Sequence, residues 1–405
     1  MKLVYFTHSL RSCWNHGNAH FLRGVLRELI HAGHEVEAYE PAGAWSLDNL
    51  LKDHGPGGLA AYERAYPELS STTYDETLDL DEALAGADVV IVHEWNEPRL
   101  VAAVGRLRRC GGRFTLLLHD THHRAVSDPD AIRTFDLDGY DGVLAFGEAL
   151  SEVYRRWGWR DRVFTWHEAA DTRLFRPLPS PLRGGVGGGG CDVPRLQDET
   201  RPAERDAPNA STAHQVGPPP SPTLPRKGGE GNGLVWIGNW GDEERSAELE
   251  SFLLRPAQTV GLPLDVYGVR YPDHARERLR RYGARYRGWL PNARAPEIFA
   301  RHLATVHVPR RFYVDLLPGI PTIRVFEALA CGIPLVSAPW RDSEGLFRPG
   351  RDYLVARDEG EMKRHLTALR GDPALCAELI ASGLATIRAR HTCAHRANEL
   401  LAIVA

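Results

Sequence analysis

Short apolar runs alternate with helix-spaced apolar stripes from the first residues of the chain. Residues 2–8 predict a buried strand, and residues 19–32 carry apolar side chains at intervals of three and four, which predicts a helix. Gly33 ends that helix, and residues 34–39 predict a second strand. The first forty residues therefore predict a βαβ unit, whose two strands run parallel.

The alternation continues to residue 176 and resumes at residue 233. Before the break, strands are predicted at 88–93, 114–119, 142–146 and 163–166, with helices at 77–84, 97–109 and 148–157. After it, strands are predicted at 234–238, 264–267, 286–287, 304–308 and from 335, with helices at 243–254, 274–282, 296–301, 323–330, 363–370, 375–387 and 393–403. Both series predict the α/β class, with open, doubly wound parallel sheets.

These patterns divide the chain into four parts. We expect an N-terminal domain at 1–176, a C-terminal domain at 233–385, and a last helix within 386–405 that packs back on the N-terminal domain. Residues 177–232 are rich in Gly and Pro and have almost no periodic apolar positions, which predicts a disordered insertion. A Pro-rich ligand segment is the alternative for this part.

One helix of the second series carries an unusual pair of charges. Thr322 can cap the helix 323–330 and Gly332 can end it, while Arg324 and Glu327 lie on one face, three residues apart. A helix N-terminus beside an Arg and a Glu suits a ligand with phosphate and ribose hydroxyls. In the simpler alternative, the two charges only pair with each other inside an ordinary buried helix.

Composition narrows the function classes. The 405 residues are 43% hydrophobic with a net charge of −4, so no global positive field points to nucleic acid. Six cysteines show no zinc-site spacing, which predicts reduced thiols and a cytoplasmic protein. No apolar run reaches the roughly 20 residues of a membrane helix, so any membrane contact is expected to be peripheral.

Candidate ligand-binding residues follow predicted strands, because ligands of open α/β sheets bind beyond the carboxyl ends of the strands. The loops are 9–18, 119–124, 238–245 and 309–322, and the first has neither a dinucleotide fingerprint nor a P-loop, so it is equally a plain helix cap. The candidate substrate-binding residues in these loops and in the helix after them are Asn15, His16, Gly17, Asp120, Gly238, Asn239, Arg245, Arg310, Arg311, Thr322, Ile323 and Arg324.

Two of these loops have alternatives of their own. His119, with Asp120, His122 and His123 nearby, can contact a sugar hydroxyl or act as a base, but a structural role and a metal site are also open. Arg245 can reach a phosphate or lie at the surface. Guanidinium groups at 310, 311 and 324 match the charge of a pyrophosphate at the helix N-terminus.

The stretch Arg324-Val-Phe-Glu-Ala-Leu-Ala-Cys-Gly-Ile-Pro-Leu-Val-Ser337 resembles the group-1, family 4-like glycosyltransferases of the GT-B fold, within them the spore-maturation-type branch. Both domains carry further marks of this resemblance: Gly33-His-Glu-Val, His119-Asp120, Asp171-Thr-Arg-Leu-Phe-Arg-Pro177, Gly288-Trp-Leu-Pro and Leu346-Phe-Arg-Pro-Gly350. The resemblance implies two Rossmann-like domains that face a cleft.

The resemblance also implies an activity, the hexosyltransferase-like and retaining transfer of a sugar from a nucleoside-diphosphate sugar. The donor would lie on the C-terminal domain, with Glu327 on the ribose and the helix N-terminus on the diphosphate. His119 would contact the transferred sugar, and His119 and Glu327 are the predicted catalytic residues. An unknown acceptor, whether glycan, lipid-linked or small molecule, would enter from the N-terminal domain. No metal or cofactor is expected, because arginines and helix dipoles stabilise the leaving diphosphate.

The chain departs from the family at one position. Many relatives have a Glu eight residues before the one that Glu327 matches, and this chain has Gly319, with Asp315 nearby but out of register. The departure puts the donor sugar and the retaining outcome in doubt. A sugar-nucleotide epimerase and a non-catalytic nucleotide-sugar-binding protein are the alternatives to a glycosyltransferase.

Overall fold

The computed structural model describes residues 1–179, 233–241 and 243–405. They form two domains, each with one parallel β-sheet and flanking helices, so the predicted fold class is confirmed. The predicted insertion at 177–232 lies almost entirely outside the described residues.

The N-terminal sheet has seven strands in the order β3-β2-β1-β4-β5-β6-β7. All of its strand pairs are parallel, as the βαβ pattern requires. The strands are β1 (Lys2–Phe6), β2 (Glu35–Pro41), β3 (Thr72–Tyr74), β4 (Val89–His93), β5 (Thr115–Asp120), β6 (Gly142–Ala145) and β7 (Val163–Thr165).

The C-terminal sheet has six strands in the order β10-β9-β8-β11-β12-β13, again all parallel. Both sheets reverse their strand order beside the first strand of the domain, which is where doubly wound sheets open a crevice for ligands. The strands are β8 (Leu234–Ile237), β9 (Leu264–Tyr267), β10 (Arg285–Gly288), β11 (Ala304–His307), β12 (Leu335–Ser337) and β13 (Leu354–Val355).

Helices connect the strands of each domain. Those of the N-terminal domain are α1 (Ala19–His31), α2 (Trp45–His54), α3 (Ala60–Ala65), α4 (Leu80–Ala83), α5 (Pro98–Arg109), α6 (Arg124–Ser127), α7 (Pro129–Arg133) and α8 (Glu148–Tyr154). Those that follow the insertion are α9 (Ser246–Leu249), α10 (Arg255–Thr259), α11 (Asp273–Arg281), α12 (Ala295–Phe299), α13 (Arg311–Asp315), α14 (Ile323–Cys331), α15 (Glu359–Gly371), α16 (Pro373–Arg390) and α17 (Cys393–Val404).

Both faces of the N-terminal sheet are covered. Leu3 and Tyr5 of β1 belong to one hydrophobic cluster, and Val4 and Phe6 belong to another, because successive strand residues point to opposite faces. The first cluster continues into the C-terminal domain as far as Phe326 on α14. The two domains therefore share part of their apolar core.

The last helix, α17, lies against α1 of the N-terminal domain. The Trp166 indole nitrogen donates to the carbonyl oxygen of Arg396 over 2.9 Å, and a parallel bridge joins Ala170 to Thr392. Cys393 packs beside Phe21, and its sulfur lies 3.8 Å from the backbone carbonyl oxygen of Phe21. Among the residues described by the structure, no helix is long and apolar enough to cross a membrane.

Several short elements were not predicted from the sequence. They include α2, α3, β3 and α13, which lie between or inside loops and present too few apolar positions to reveal a period. The helix predicted at 148–157 is regular only to Tyr154, because the chain then passes through a π-helical turn with Gly158 at a φ of 98°. Predicted and observed boundaries of the other elements differ mainly by a few residues at their ends.

Candidate functional site

Two adjoining cavities lie where the carboxyl ends of the two sheets face each other. The interdomain cavity, of about 260 Å³, is lined by loops of both domains. The N-domain cavity, of about 1100 Å³, lies mainly against the N-terminal domain. Asn15, His122, Asn239 and Arg310 line both, so a ligand in one cavity is adjacent to a ligand in the other.

Most of the predicted substrate-binding residues meet at the interdomain cavity. Those that line it are Asn15, His16, Gly17, Gly238, Asn239, Arg245, Arg310, Thr322, Ile323 and Arg324. The Asn239 side-chain amide donates to Asn15 Oδ1 over 2.8 Å, which joins the domains at the cavity wall. His119, Asp120, Arg311 and Glu327 line neither cavity.

The N-terminus of α14 opens into the interdomain cavity. Thr322 occupies the cap position, but its hydroxyl does not cap the helix as predicted. The hydroxyl instead lies 3.2 Å from His307 Nε2, and His307 Nδ1 lies 3.0 Å from the Ser337 hydroxyl. Burial lowers the pKa of His307 to about 3, so a neutral imidazole holds this end of the helix. At the other end Gly332, in the left-handed region with φ 68°, caps the helix as predicted.

Arg324 and Glu327 pair with each other, as the simpler interpretation of the sequence had it. Glu327 is completely buried and also accepts a hydrogen bond of 2.7 Å from the Asn292 amide. Burial acts to raise its pKa, but the Arg324 charge and hydrogen bonds from His20 and Asn292 outweigh burial and leave the pKa lowered. Glu327 is thus an ionised carboxylate that orients Arg324 and Asn292, both of which line the cavity.

His20 reaches Glu327 from the other domain. The backbone N–H of Asp171 donates to His20 Nε2 over 2.9 Å, so the remaining proton of a neutral ring lies on Nδ1. That Nδ1 is 3.0 Å from Glu327 Oε1, and both side chains are fully buried. The carboxylate therefore links helix α1 of one domain to α14 of the other.

Three guanidinium groups line the C-terminal wall of the interdomain cavity, those of Arg245, Arg310 and Arg324. Arg245 donates to the Val308 carbonyl over 2.7 Å, and Arg310 Nε donates to Glu244 over 2.6 Å. The prediction that Arg311 shares this wall is not met, because its side chain turns to Asp315, 2.6 Å away, on the outer side of α13.

His119 and Asp120 lie beneath the cavity floor. His119 is 2% exposed, hydrogen-bonded to the Tyr5 hydroxyl and packed against Trp166. Asp120 is fully buried and accepts hydrogen bonds from the Tyr154 hydroxyl, at 2.7 Å, and from the His122 backbone, at 3.0 Å. Burial lowers the pKa of His119 to about 3 and raises that of Asp120 to about 6. The strand-end position was predicted, but these side chains point into the core.

The N-terminal wall carries imidazoles and indoles instead. His8, His16, His122 and His123 line the N-domain cavity together with two of the most exposed large apolar side chains, Trp45 and Trp95. Burial, the largest cause, lowers the pKa of His122 to about 2, that of His8 to about 4 and that of His123 to about 4. These rings are neutral at pH 7 and offer hydrogen bonds without charge.

Three polar residues of the interdomain cavity were not predicted. Glu168 Oε1, Trp289 Nε1 and Asn292 Oδ1 are buried atoms without a hydrogen-bond partner among the described residues. All three residues line the cavity. The sequence carried a signal for them, because Glu168 closely follows the end of β7, and Trp289 and Asn292 closely follow β10. Each of these residues stands alone after a short strand, so no cluster of polar residues marks it in the sequence.

The conformation of Gly319 and the space around it favour a residue without a side chain. Its φ is 98°, a left-handed conformation that favours glycine, and a Cβ added there would lie 2.2 Å from the Ser343 hydroxyl. A glutamate at this position would need the Ser343 hydroxyl to rotate away and would adopt a strained backbone conformation.

No group of three or more His, Cys, Asp or Glu side chains is arranged to hold a metal ion within residues 1–179, 233–241 and 243–405. In the cluster for which metal binding was one alternative, the His122 and His123 rings stack with centroids 3.9 Å apart, and Asp120 is turned away into the core. The donor atoms of this loop do not converge on one point.

A comparison with protein families matches one segment of the chain. Residues 245–402 match the model of a family described as glycosyl transferase-like, a segment that contains Arg245, Arg310, Arg324 and Glu327. No curated protein sequence matches the chain.

Solved structures with the same fold include complexes of two different proteins. HepE of Anabaena in complex with UDP matches over 99% of both chains, with 13% identity and a TM-score of 0.60. T4 phage BGT in complex with UDP and Mn²⁺ matches over 100% of this chain and 99% of its own, with 13% identity and a TM-score of 0.54. At these identities the likeness establishes the fold alone. The chain thus has the two-domain GT-B fold, and its residues 245–402 match a glycosyl transferase-like family model.

Proposed function

We propose that this protein is a glycosyltransferase that moves a sugar from a nucleoside-diphosphate sugar to an acceptor bound in the N-domain cavity. One observation carries the proposal: the N-terminus of α14 and the guanidinium groups of Arg245, Arg310 and Arg324 converge on one cavity. Free N–H groups of a helix N-terminus and guanidinium groups bind phosphate oxygens. Support comes from the family model over 245–402 and from the UDP complexes of proteins with the same fold.

The chemistry of the C-terminal wall supports a position for the donor. Its diphosphate would lie against Ile323 and Arg324, where the helix dipole and the guanidinium charge both favour an anion. The nucleoside would extend toward Trp289, and the buried Asn292 Oδ1 would accept a hydrogen bond from a ribose hydroxyl. Glu327 would act through Arg324 and Asn292, as a positioning residue.

The acceptor would lie beside the neutral imidazoles and indoles of the N-domain cavity. His122 lines both cavities and can hydrogen-bond to a sugar hydroxyl. His119 would influence the site indirectly, because its ring packs on His93, whose Nε2 lies 3.0 Å from the Thr121 hydroxyl at the cavity.

The leaving diphosphate would be stabilised by arginines and the helix N-terminus, so the proposed transfer needs no metal ion. The resemblance of the sequence favours a hexosyl group and retention of configuration. The comparisons do not favour the epimerase or the non-catalytic binding protein. Conversion of a nucleotide sugar to its epimer without an acceptor would instead support the epimerase.

The test is consumption of nucleotide sugars by the wild type and Glu327→Gln. A panel of UDP- and GDP-sugars should yield free nucleoside diphosphate, and the variant should lose roughly tenfold to hundredfold in rate, because Arg324 is no longer held by a charge. Glu297→Gln, on the exposed Glu297 that pairs with Arg294, is the matched control and should be unchanged. Turnover of no nucleotide sugar would contradict the function, and full activity of Glu327→Gln would contradict its role.

A further inference from the structure

A carboxyl group of the N-terminal domain faces the N-terminus of α14 across the interdomain cavity. Glu168 lies three residues beyond β7, is 2% exposed, and lines the cavity beside Thr322, Ile323 and Arg324. Its Oε1 has no hydrogen-bond partner among the described residues. A buried, unsatisfied carboxyl oxygen is costly, so an atom in this state is informative about a missing partner.

The groups that face Glu168 come from three elements. From α14 they are the backbone N–H of Ile323, the Arg324 guanidinium and the ionised Glu327. From α13 it is the buried Tyr313 hydroxyl, whose pKa is raised first by burial and then by Glu168. In its own segment, the adjacent His167 is turned away and lies 2.6 Å from Glu344. Arg324 is therefore the cation that faces both Glu168 and Glu327, and it already pairs with Glu327.

Burial and the neighbouring Glu327 charge raise the pKa of Glu168 to about 8, although Arg324 and the Ile323 N–H act in the opposite direction. Below this pKa the group is a neutral acid with one O–H to donate. An ionised Glu168 would repel a diphosphate at α14, whereas the neutral acid can hydrogen-bond to a phosphate oxygen.

We propose that Glu168 belongs to the donor site and binds the diphosphate as a neutral carboxylic acid, whose O–H donates to a phosphate oxygen at the N-terminus of α14. The inference rests on the proposed nucleotide-sugar donor and deepens it: the N-terminal domain supplies a proton-dependent contact to a ligand that the C-terminal domain holds. The interdomain position makes this contact available only when the two domains face each other as they do in this structure.

The consequence is a link between binding and protonation. If the diphosphate binds only when Glu168 is protonated, the affinity for the diphosphate is full below the pKa of Glu168 and falls as pH rises through that pKa. With a pKa of about 8, Kd should be roughly tenfold larger at pH 9 than at pH 7. Binding at pH 9 should also take up close to one proton from the buffer, and about a tenth of a proton at pH 7.

The experiment is calorimetric titration of the full chain with UDP and with GDP at pH 7 and pH 9. Each titration is run in two buffers of different ionisation enthalpy, so that proton uptake is measured in the wild type without any variant. The terminal phosphate ionises near pH 6, below this range. Glu168→Gln keeps the shape and a donor but cannot titrate, so its Kd should agree within twofold at the two pH values.

Glu94→Gln is the matched control. Glu94 is another fully buried carboxyl of the N-terminal domain, its pKa is raised to about 8 by burial and Asp120, and it lines neither cavity. This variant should keep the tenfold pH effect and the proton uptake.

Two outcomes overturn the inference alone: binding of UDP or GDP by the wild type without proton uptake at pH 9, or a pH effect that persists in Glu168→Gln. Absence of binding of either nucleotide at both pH values overturns the proposed function and the inference with it.

Discussion

The two walls of the interdomain cleft differ in charge more than in shape. The C-terminal wall presents Arg245, Arg310 and Arg324 around the N-terminus of α14. The N-terminal wall presents buried histidines, lowered in pKa by that burial, and the indoles of Trp45 and Trp95. An arginine keeps its charge when it is partly buried, whereas a histidine gives up its proton.

Under the proposed function, this difference suits the walls to different ligands. A fixed positive wall suits an anionic diphosphate. A wall of neutral imidazoles and flat indoles, whose cavity is also lined by Asp75, Glu76, Glu97 and Arg99, suits a hydroxyl-bearing acceptor. If both walls were positive, the diphosphate would be attracted to both sides of the cleft and would compete with the acceptor. In the proposed reaction this division of charge would separate the donor from the acceptor, and the experiments below test it.

The largest effect is expected from the C-terminal wall. Arg324→Met should weaken UDP binding by roughly tenfold to hundredfold, because one charge-assisted hydrogen bond to phosphate contributes about 1.5–3 kcal/mol. The change leaves Glu327 with Asn292 and His20 as partners. Titration calorimetry measures the affinity. Arg311→Met, next to the same site but turned toward Asp315, should bind UDP as the wild type does, and equal losses in both variants would remove the argument for a specific wall.

The neutral imidazoles of the N-terminal wall predict a pH effect on stability. Burial holds the pKa of His122 at about 2, below the usual value near 6.5 of the unfolded chain. The contribution of His122 is therefore fully present above pH 6.5 and is lost as pH falls below it, by about 1.4 kcal/mol per pH unit. Because buried carboxyl groups with raised pKa act in the opposite sense, the measurable quantity is a difference between variants.

Accordingly, between pH 7.5 and pH 5.5 the free energy of unfolding of His122→Asn should fall by about 1.4 kcal/mol less than that of the wild type. Urea unfolding at the two pH values gives both numbers. His31→Asn, at an exposed position on α1, is the control and should follow the wild type. Equal acid sensitivity of His122→Asn and the wild type would mean that the folded protein does not hold His122 in its neutral form.

A smaller effect is expected at the indoles. Trp95 is 39% exposed and lines only the N-domain cavity. Trp95→Leu should lower acceptor-dependent transfer by roughly tenfold, the equivalent of losing about 1.4 kcal/mol of apolar contact. Its affinity for UDP should stay within twofold of the wild type. Trp159→Leu, outside both cavities, is the control for the loss of an indole. A loss of UDP affinity in Trp95→Leu as large as its loss of transfer would show that the two walls do not bind separate ligands.

The C-terminal wall could be predicted from the sequence to a large extent. Thr322, Ile323 and Arg324 stand at the start of one helix whose bounds follow from flanking Pro and Gly, and that helix starts where predicted. Its details could not be predicted, because the Thr322 hydroxyl turns to His307 and Glu327 turns to His20, both far away in sequence.

The N-terminal wall shows the limit of the same reasoning. The end of β5 was predicted as a site, but the strand extends to Asp120, so His119 and Asp120 are both buried in the sheet. Thr121 and His122, in the loop after the strand, line the cavity instead. A difference of one or two residues in the position of a strand end therefore decides which side chain meets the ligand. Glu168 was missed because it stands alone after a short strand, and only the packing of the two domains brings it to α14.

A crystal structure of the protein with UDP bound tests the central claim most directly. The account predicts diphosphate oxygens within about 3.2 Å of the backbone N–H groups at the start of α14 or of the Arg324 guanidinium. A diphosphate bound instead in the N-domain cavity, against His122 and His123, would contradict it.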